Sequence, residues 1–112
     1  MQSFSGVVIR GSQRAALLGY PTINIELKDP SVSGIFAAKV MIDGIERIAA
    51  AFADSARGVL EANILDVSDD FYGKDARIDL YKKLRDNQRF ENDQLLKMAM
   101  ASDVELVRAY FA

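Results

Sequence analysis

The chain has 112 residues, with 14 Lys and Arg against 16 Asp and Glu and a formal net charge of −2. At about 100–200 residues per domain this predicts one domain over residues 1–112, and the mild negative charge speaks against binding nucleic acid or an anionic membrane by bulk charge. It contains no Cys and no His, which excludes thiolate nucleophiles, disulfides, Cys-based metal sites, Ser-His-Asp triads and imidazole bases. Acid–base chemistry must then use Asp, Glu, Lys or Tyr, and any metal must be hard and oxygen-bound, with Mg²⁺ the leading candidate.

The opening residues Met1 to Arg10 lack the apolar run of a signal peptide. The longest uncharged apolar stretch, Ile48 to Ala53, is far short of the roughly 20 residues of a membrane-spanning helix. A soluble, cytoplasmic protein is expected, and the lack of Cys suits that compartment.

In chain order, Phe4 to Ile9 reads as a strand and Ser12 to Leu18 as a loop between Gly11 and Gly19. Thr22 to Leu27 alternates, with Ile23, Ile25 and Leu27 on one face and Thr22, Asn24 and Glu26 on the other. Lys28-Asp29-Pro30 breaks it. Ile35 to Ile42 and Ile45 to Phe52 flank Asp43-Gly44, a strong signal for a two-residue hairpin. Ala53 to Gly58 reads as a loop, Val59 to Val67 as a strand, Ser68 to Asp70 as a turn and Ala76 to Leu84 as the sixth strand.

The period then changes. Asn92 suits an N-cap, Asp93 suits the first turn, and Leu96, Met100, Val107 and Phe111 recur at helical spacing. Six short strands and one terminal helix predict a mainly β fold. The expected form is a small closed six-stranded antiparallel barrel with a C-terminal α-helix, because closure removes exposed sheet edges.

Four segments carry residues suited to chemistry. Thr22 and Asn24 share a strand face and offer a hydroxyl and an amide oxygen to a hard cation or a phosphate; the alternative is the wet face of an edge strand. Glu61 and Asn63 share a face with Val59 and Leu65. A carboxylate in such apolar company has a raised pKa and can act as a base; the alternative is an ordinary solvent-facing Glu. Arg10 to Arg14 places two cations around Gly11, a weak signal for a phosphate-cradling loop. Lys82 to Phe90 holds four cations and one acid, which by itself reads as a solvated turn.

The order of these segments resembles the riboflavin kinase family. The resemblance runs through Leu18-Gly19-Tyr20-Pro21-Thr22-Ile23-Asn24, Gly34-Ile35-Phe36-Ala37, Leu60-Glu61-Ala62-Asn63-Ile64-Leu65-Asp66, Phe71-Tyr72-Gly73-Lys74, Leu84-Arg85 with Arg89-Phe90, and Ser102-Asp103-Val104. It covers Ser5 to about Arg108 and is similar to the C-terminal module of bacterial bifunctional riboflavin kinase/FAD synthetases.

The resemblance implies a Greek-key barrel that transfers the γ-phosphoryl of ATP to the ribityl 5′-hydroxyl of riboflavin, giving FMN. It implies Glu61 as catalytic base and Thr22 and Asn24 as Mg²⁺–nucleotide ligands. It further implies Gly11, Arg14, Gly19 and Pro21 around the nucleotide, and Leu84, Arg85 and Phe90 at the flavin. Its expected partners are small molecules, with an FAD synthetase module fused or partnered in the full-length protein. An apolar slot at the barrel mouth would receive the flavin ring.

The chain departs from the family pattern in the flap, where Ala15 and Ala16 replace a Gly and a cation, and at 49–55, which lacks the family's Asn, Gly and Pro. These departures leave open a barrel that binds flavin or nucleotide without efficient turnover. A small β-barrel interaction module is the reading from a different class.

Overall fold

The computed structural model describes residues 1–112. Its elements are β1 (Gln2–Val7), α1 (Arg14–Leu17), β2 (Ile23–Glu26), β3 (Gly34–Ile42), β4 (Ile45–Asp54), β5 (Val59–Ile64), β6 (Asp75–Arg85) and α2 (Asp93–Phe111). The six strands form one sheet in the order β1-β6-β3-β4-β5-β2, with neighbouring strands antiparallel. The sheet curls until its two edges meet: the Ile9 N–H donates to the Asn24 carbonyl at 2.8 Å, a single bridge that nearly closes the barrel. The β2–β3 and β5–β6 connections each cross over two intervening strands of the barrel.

Alternation explains the core. Ile23, Ile25, Val40, Ile42, Leu60, Ile78 and Leu80 fill the interior together with Ala49, Ala51 and Ala53 of β4. Ala37 and Ala50 lie beneath α2, where Leu65, Leu84, Val104, Val107 and Phe111 complete a second apolar cluster. Small side chains on the wall let the helix dock closely, and the apolar stripe expected from its 3.6 period is what it buries.

Boundaries differ from the sequence reading where tertiary contacts decide them. The segment read as a loop at 12–18 contains the single turn α1, entered through Gln13 at φ +61°. β5 stops at Ile64 rather than Val67, because Asp66 takes a left-handed φ of +62° and turns the chain. β4 runs on to Asp54, two residues past the expected end, since Ala53 and Asp54 still pair with Leu60 and Val59. The Asp43-Gly44 hairpin forms as expected, with φ of +54° and +76°. The Asn92 Oδ1 caps α2 by accepting from the Leu95 N–H at 2.9 Å.

Candidate active site

With its interior filled, the barrel keeps no slot at its mouth. The main cavity, about 470 Å³, lies instead on the outer wall, between the sheet and the N-terminal half of α2. That volume is within the usual range for a small-molecule site. Its floor is the outward face of β4 and β5, with Ala50, Phe52, Glu61 and Asn63. Leu96, Met100 and Val104 of α2 form the roof, and Arg85, Gln88, Arg89 and Phe90 close one end. Ser12, Arg14, Ala15 and Thr22 bring the flap and the start of β2 to the other.

Glu61 stands opposite Phe52 in the β4–β5 register and opposite Asn24 in the β2–β5 register. It is partly buried on the cavity wall. Burial pushes its carboxyl above the ordinary glutamate value, the nearby Arg57 guanidinium pulls it back, and Asp54 pushes it up again. The expectation of a raised pKa from apolar company is thus met by the same physical cause, desolvation of the charged form.

Asn24 is not on a wet face. It is 4% exposed, and its Oδ1 is a buried acceptor with no protein partner. The cover is Gly11: a Cβ built there would lie 2.5 Å from the Asn24 Nδ2 and 2.6 Å from its Oδ1. Only a residue without a side chain lets the flap backbone lie this close. An unsatisfied buried amide oxygen costs free energy unless something donates or coordinates to it. Asn63 ties the neighbouring strand entry in place, its Nδ2 donating to the Pro21 carbonyl at 2.8 Å.

Arg85 is held by a two-pronged ion pair, Nε to Asp103 Oδ1 at 2.9 Å and Nη2 to Asp103 Oδ2 at 2.8 Å. Its guanidinium also lies 5.7 Å from the Phe90 ring centroid. The pair pins α2 to the end of β6 and fixes that wall of the cavity. Arg14 ties α1 to the start of α2 through Asp93 at 2.7 Å, a half-exposed bridge of small energetic weight.

The expected site residues therefore divide. Glu61, Thr22, Arg14, Arg85 and Phe90 share the main cavity. Gly11 and Asn24 touch one another beside it. Gly19 and Pro21 line a second hollow of about 320 Å³, which meets the first at Asn63 and Val104. Leu84 is not on the cavity wall; it packs beneath α2 in the second apolar cluster. Sequence reasoning did not single out Phe52, Arg57 or Asn87. Asn87 steadies its loop by donating to the Ala53 carbonyl at 3.3 Å.

The riboflavin kinase family model matches residues 1–111. The chain belongs to the riboflavin kinase family. Among curated relatives, the bifunctional riboflavin kinase/FMN adenylyltransferases of Buchnera aphidicola and Escherichia coli K12 are 33% and 31% identical to it, each over 97% of this chain and 38% of their own length. That of Mycoplasma pneumoniae is 33% identical over 96% of this chain and 42% of the relative. The chain thus spans about two-fifths of the length of the curated relatives it matches. A solved structure described as a macrolide-efflux protein from Streptococcus pneumoniae superposes with a TM-score of 0.81 at 27% identity, covering 95% of this chain and 38% of that one. No helix of the present chain is long and apolar enough to cross a membrane. Membership in the kinase family agrees with the cavity chemistry: a partly buried Glu61 carboxylate on the wall, a cationic, aromatic end wall and, beside the cavity, the unpartnered amide oxygen of Asn24.

Proposed function

We propose that the chain is a riboflavin kinase module that transfers the γ-phosphoryl of ATP to the ribityl 5′-hydroxyl of riboflavin, giving FMN and ADP. The observation that carries this reading is the shared cavity, which sets Glu61 and Thr22 on one wall and Arg85 and Phe90 on another. The isoalloxazine ring would lie against Phe90, Leu96 and Met100, with its ribityl chain directed to Glu61. Glu61 takes the 5′-hydroxyl proton as that oxygen bonds to the γ-phosphorus and the bond to the β-phosphate oxygen breaks. A carboxylate is a competent base here once it reaches the hydroxyl.

Mg²⁺ suits this site. The partnerless Asn24 Oδ1 and the Thr22 hydroxyl are hard oxygen donors, and they would hold the nucleotide-bound ion. No cluster of three or more Asp, Glu, His or Cys is present, so its remaining ligands would be phosphate and water oxygens. When bound, the ion neutralises charge on the triphosphate, which is most of what phosphoryl transfer asks of a protein.

Because the relatives join this module to an FMN adenylyltransferase, we place its product, FMN, as the substrate of such an activity on the same or a partner chain. A cytoplasmic setting, where ATP is at hand, fits that role.

Incubation with riboflavin and Mg²⁺-ATP, followed by chromatography, tests the proposal: FMN is the expected product, and its absence at high enzyme concentration overturns it. Riboflavin fluorescence should quench on titration. Saturation to 100 times Kd should stabilise the fold by about 2.7 kcal/mol, read as a rise in Tm; no quench and no rise would contradict a flavin site. Gly11→Ala should push the new methyl into the Asn24 amide. Losing a charge-assisted contact costs about 1.5–3 kcal/mol, so KM for Mg²⁺-ATP should rise by about 10- to 100-fold while riboflavin affinity holds. Unchanged nucleotide kinetics would remove Asn24 from the nucleotide site.

A further inference from the structure

The stretch that carries Gly11 has little backbone to hold it. Arg10, Gly11 and Ser12 make no backbone hydrogen bond within the chain. The last anchor before them is the Ile9 N–H on the Asn24 carbonyl, and α1 begins only at Arg14. Yet the Gly11 backbone lies against the Asn24 amide. A side-chain contact supplies the missing hold. The Arg10 guanidinium stacks 4.1 Å from the centroid of the Tyr72 ring, and its Nη1 donates to the Asp70 carboxylate at 3.4 Å to Oδ1 and 3.3 Å to Oδ2. Asp70 in turn accepts from the Tyr72 N–H at 3.0 Å, so ring and carboxylate stand side by side to receive one cation.

This seat is itself fixed. Phe71, between the two residues, is buried in the barrel core. The Gly73 N–H donates to the Val8 carbonyl at 2.9 Å, and the Val8 N–H to the Lys74 carbonyl at 2.8 Å. The β5–β6 connection is thereby bonded to the chain two residues before Arg10. Tyr72 is 55% exposed and belongs to neither apolar cluster. Burial does not account for an aromatic ring there, whereas seating the guanidinium does.

We propose that Arg10, seated on Tyr72 and Asp70, is a positioning residue that latches the flap over Asn24 and so sets how long a nucleotide stays bound. The proposal rests on the reading of Asn24 as a nucleotide ligand. None of the three residues lines the main cavity; the latch acts through the backbone, since Arg10 is joined directly to Gly11. Its contacts are half-exposed and individually weak, which suits a cover that opens and closes at every turnover. An exposed cation–π contact is worth about a 2- to 5-fold change in an equilibrium. Losing it raises the open fraction of the flap by that factor. Solvent exchange of the Asn24 side-chain amide and release of nucleotide both pass through the open form.

Two measurements on Arg10→Met, Tyr72→Leu, the double variant and Tyr72→Phe test this. One is hydrogen exchange of the Asn24 side-chain amide by NMR without ligand, its signals being those lost in Asn24→Asp. The other is the dissociation rate of fluorescently labelled ADP with Mg²⁺, chased by excess ATP. Both rates should rise by about 2- to 5-fold in each single variant. The double variant should go no further than Arg10→Met, because either change breaks the same contact. Tyr72→Phe keeps the ring face and should match the wild type, and riboflavin dissociation should hold throughout. Unmoved exchange in both folded single variants would overturn the proposal, as would effects that multiply in the double variant. Faster release in Arg10→Met with Tyr72→Leu unchanged would also overturn it, by making Arg10 a direct phosphate contact. Should one single variant lose its fold, the other decides. A wild-type protein that binds no nucleotide with Mg²⁺ would end the nucleotide reading of Asn24, while the exchange rates, taken without ligand, would still decide whether Arg10 latches the flap.

Discussion

Glu61→Gln is expected to lower the rate of FMN formation by about 10²–10⁴-fold, the range of a general base. The substitution keeps the size of the side chain and its place opposite Phe52 and Asn24, but removes the basic carboxylate. Riboflavin and ATP affinities should change little, because the lost interaction belongs to the transition state rather than to the bound substrates. The variant should also be at least as stable as the wild type near neutral pH. A glutamate whose folded pKa is raised stabilises the fold most below its unfolded pKa, and loses that contribution as pH climbs to the folded value. An amide escapes that loss. Rate measurement with a melting curve checks both parts, and wild-type turnover in a folded Glu61→Gln protein would defeat the assignment.

Asp103→Ala should have the largest effect on the fold. It strands Arg85, whose side chain is 25% exposed, against a site where Asp103 is 7% exposed. Removing one member of a buried pair costs about 3–5 kcal/mol; with Arg85 partly open to water, about 2–3 kcal/mol is expected. At about 4–8 °C per kcal/mol for a domain near this size, Tm should fall by roughly 10–20 °C. Riboflavin affinity should fall too, since the same pair holds α2 over the cavity and sets Arg85 beside Phe90. Arg85→Met added to Asp103→Ala should recover part of the stability by removing the stranded charge. A Tm within 2 °C of wild type for Asp103→Ala alone would show that the helix is held by its apolar face only.

The architecture was legible because its signals are local. Alternation in Thr22–Leu27, the Asp43-Gly44 turn and the Asn92 cap each state their structure within a few residues, and all three formed. What depends on distant neighbours was not legible. Spacing alone left Asn24 open between a ligand and a wet-face residue, because its cover, Gly11, comes from the flap and arrives only when β1 meets β2. Leu84 was assigned with Arg85 through the Leu-Arg motif of the family resemblance, yet a register shift of β6 against β3 falls between Lys83 and Arg85, and Leu84 packs beneath α2 while Arg85 lines the cavity. Arg57 lay in a stretch that reads as an ordinary turn, and only the Asp54–Val59 pairing brings it to the wall beside Glu61. The cavity itself could not be placed from sequence, since it exists only where α2 docks on the small residues of β3 and β4.

The account turns on Glu61 accepting a proton while the γ-phosphoryl moves to riboflavin. The most direct measurement is a single-turnover reaction with γ-labelled Mg²⁺-ATP and excess protein, run in parallel on the wild type and on Glu61→Gln. The account predicts label on FMN in the wild type, with transfer slowed by about 10²–10⁴-fold in the variant at equal riboflavin occupancy. Flavin bound at full occupancy with no label transferred by the wild type, or transferred equally fast by both proteins, would contradict it.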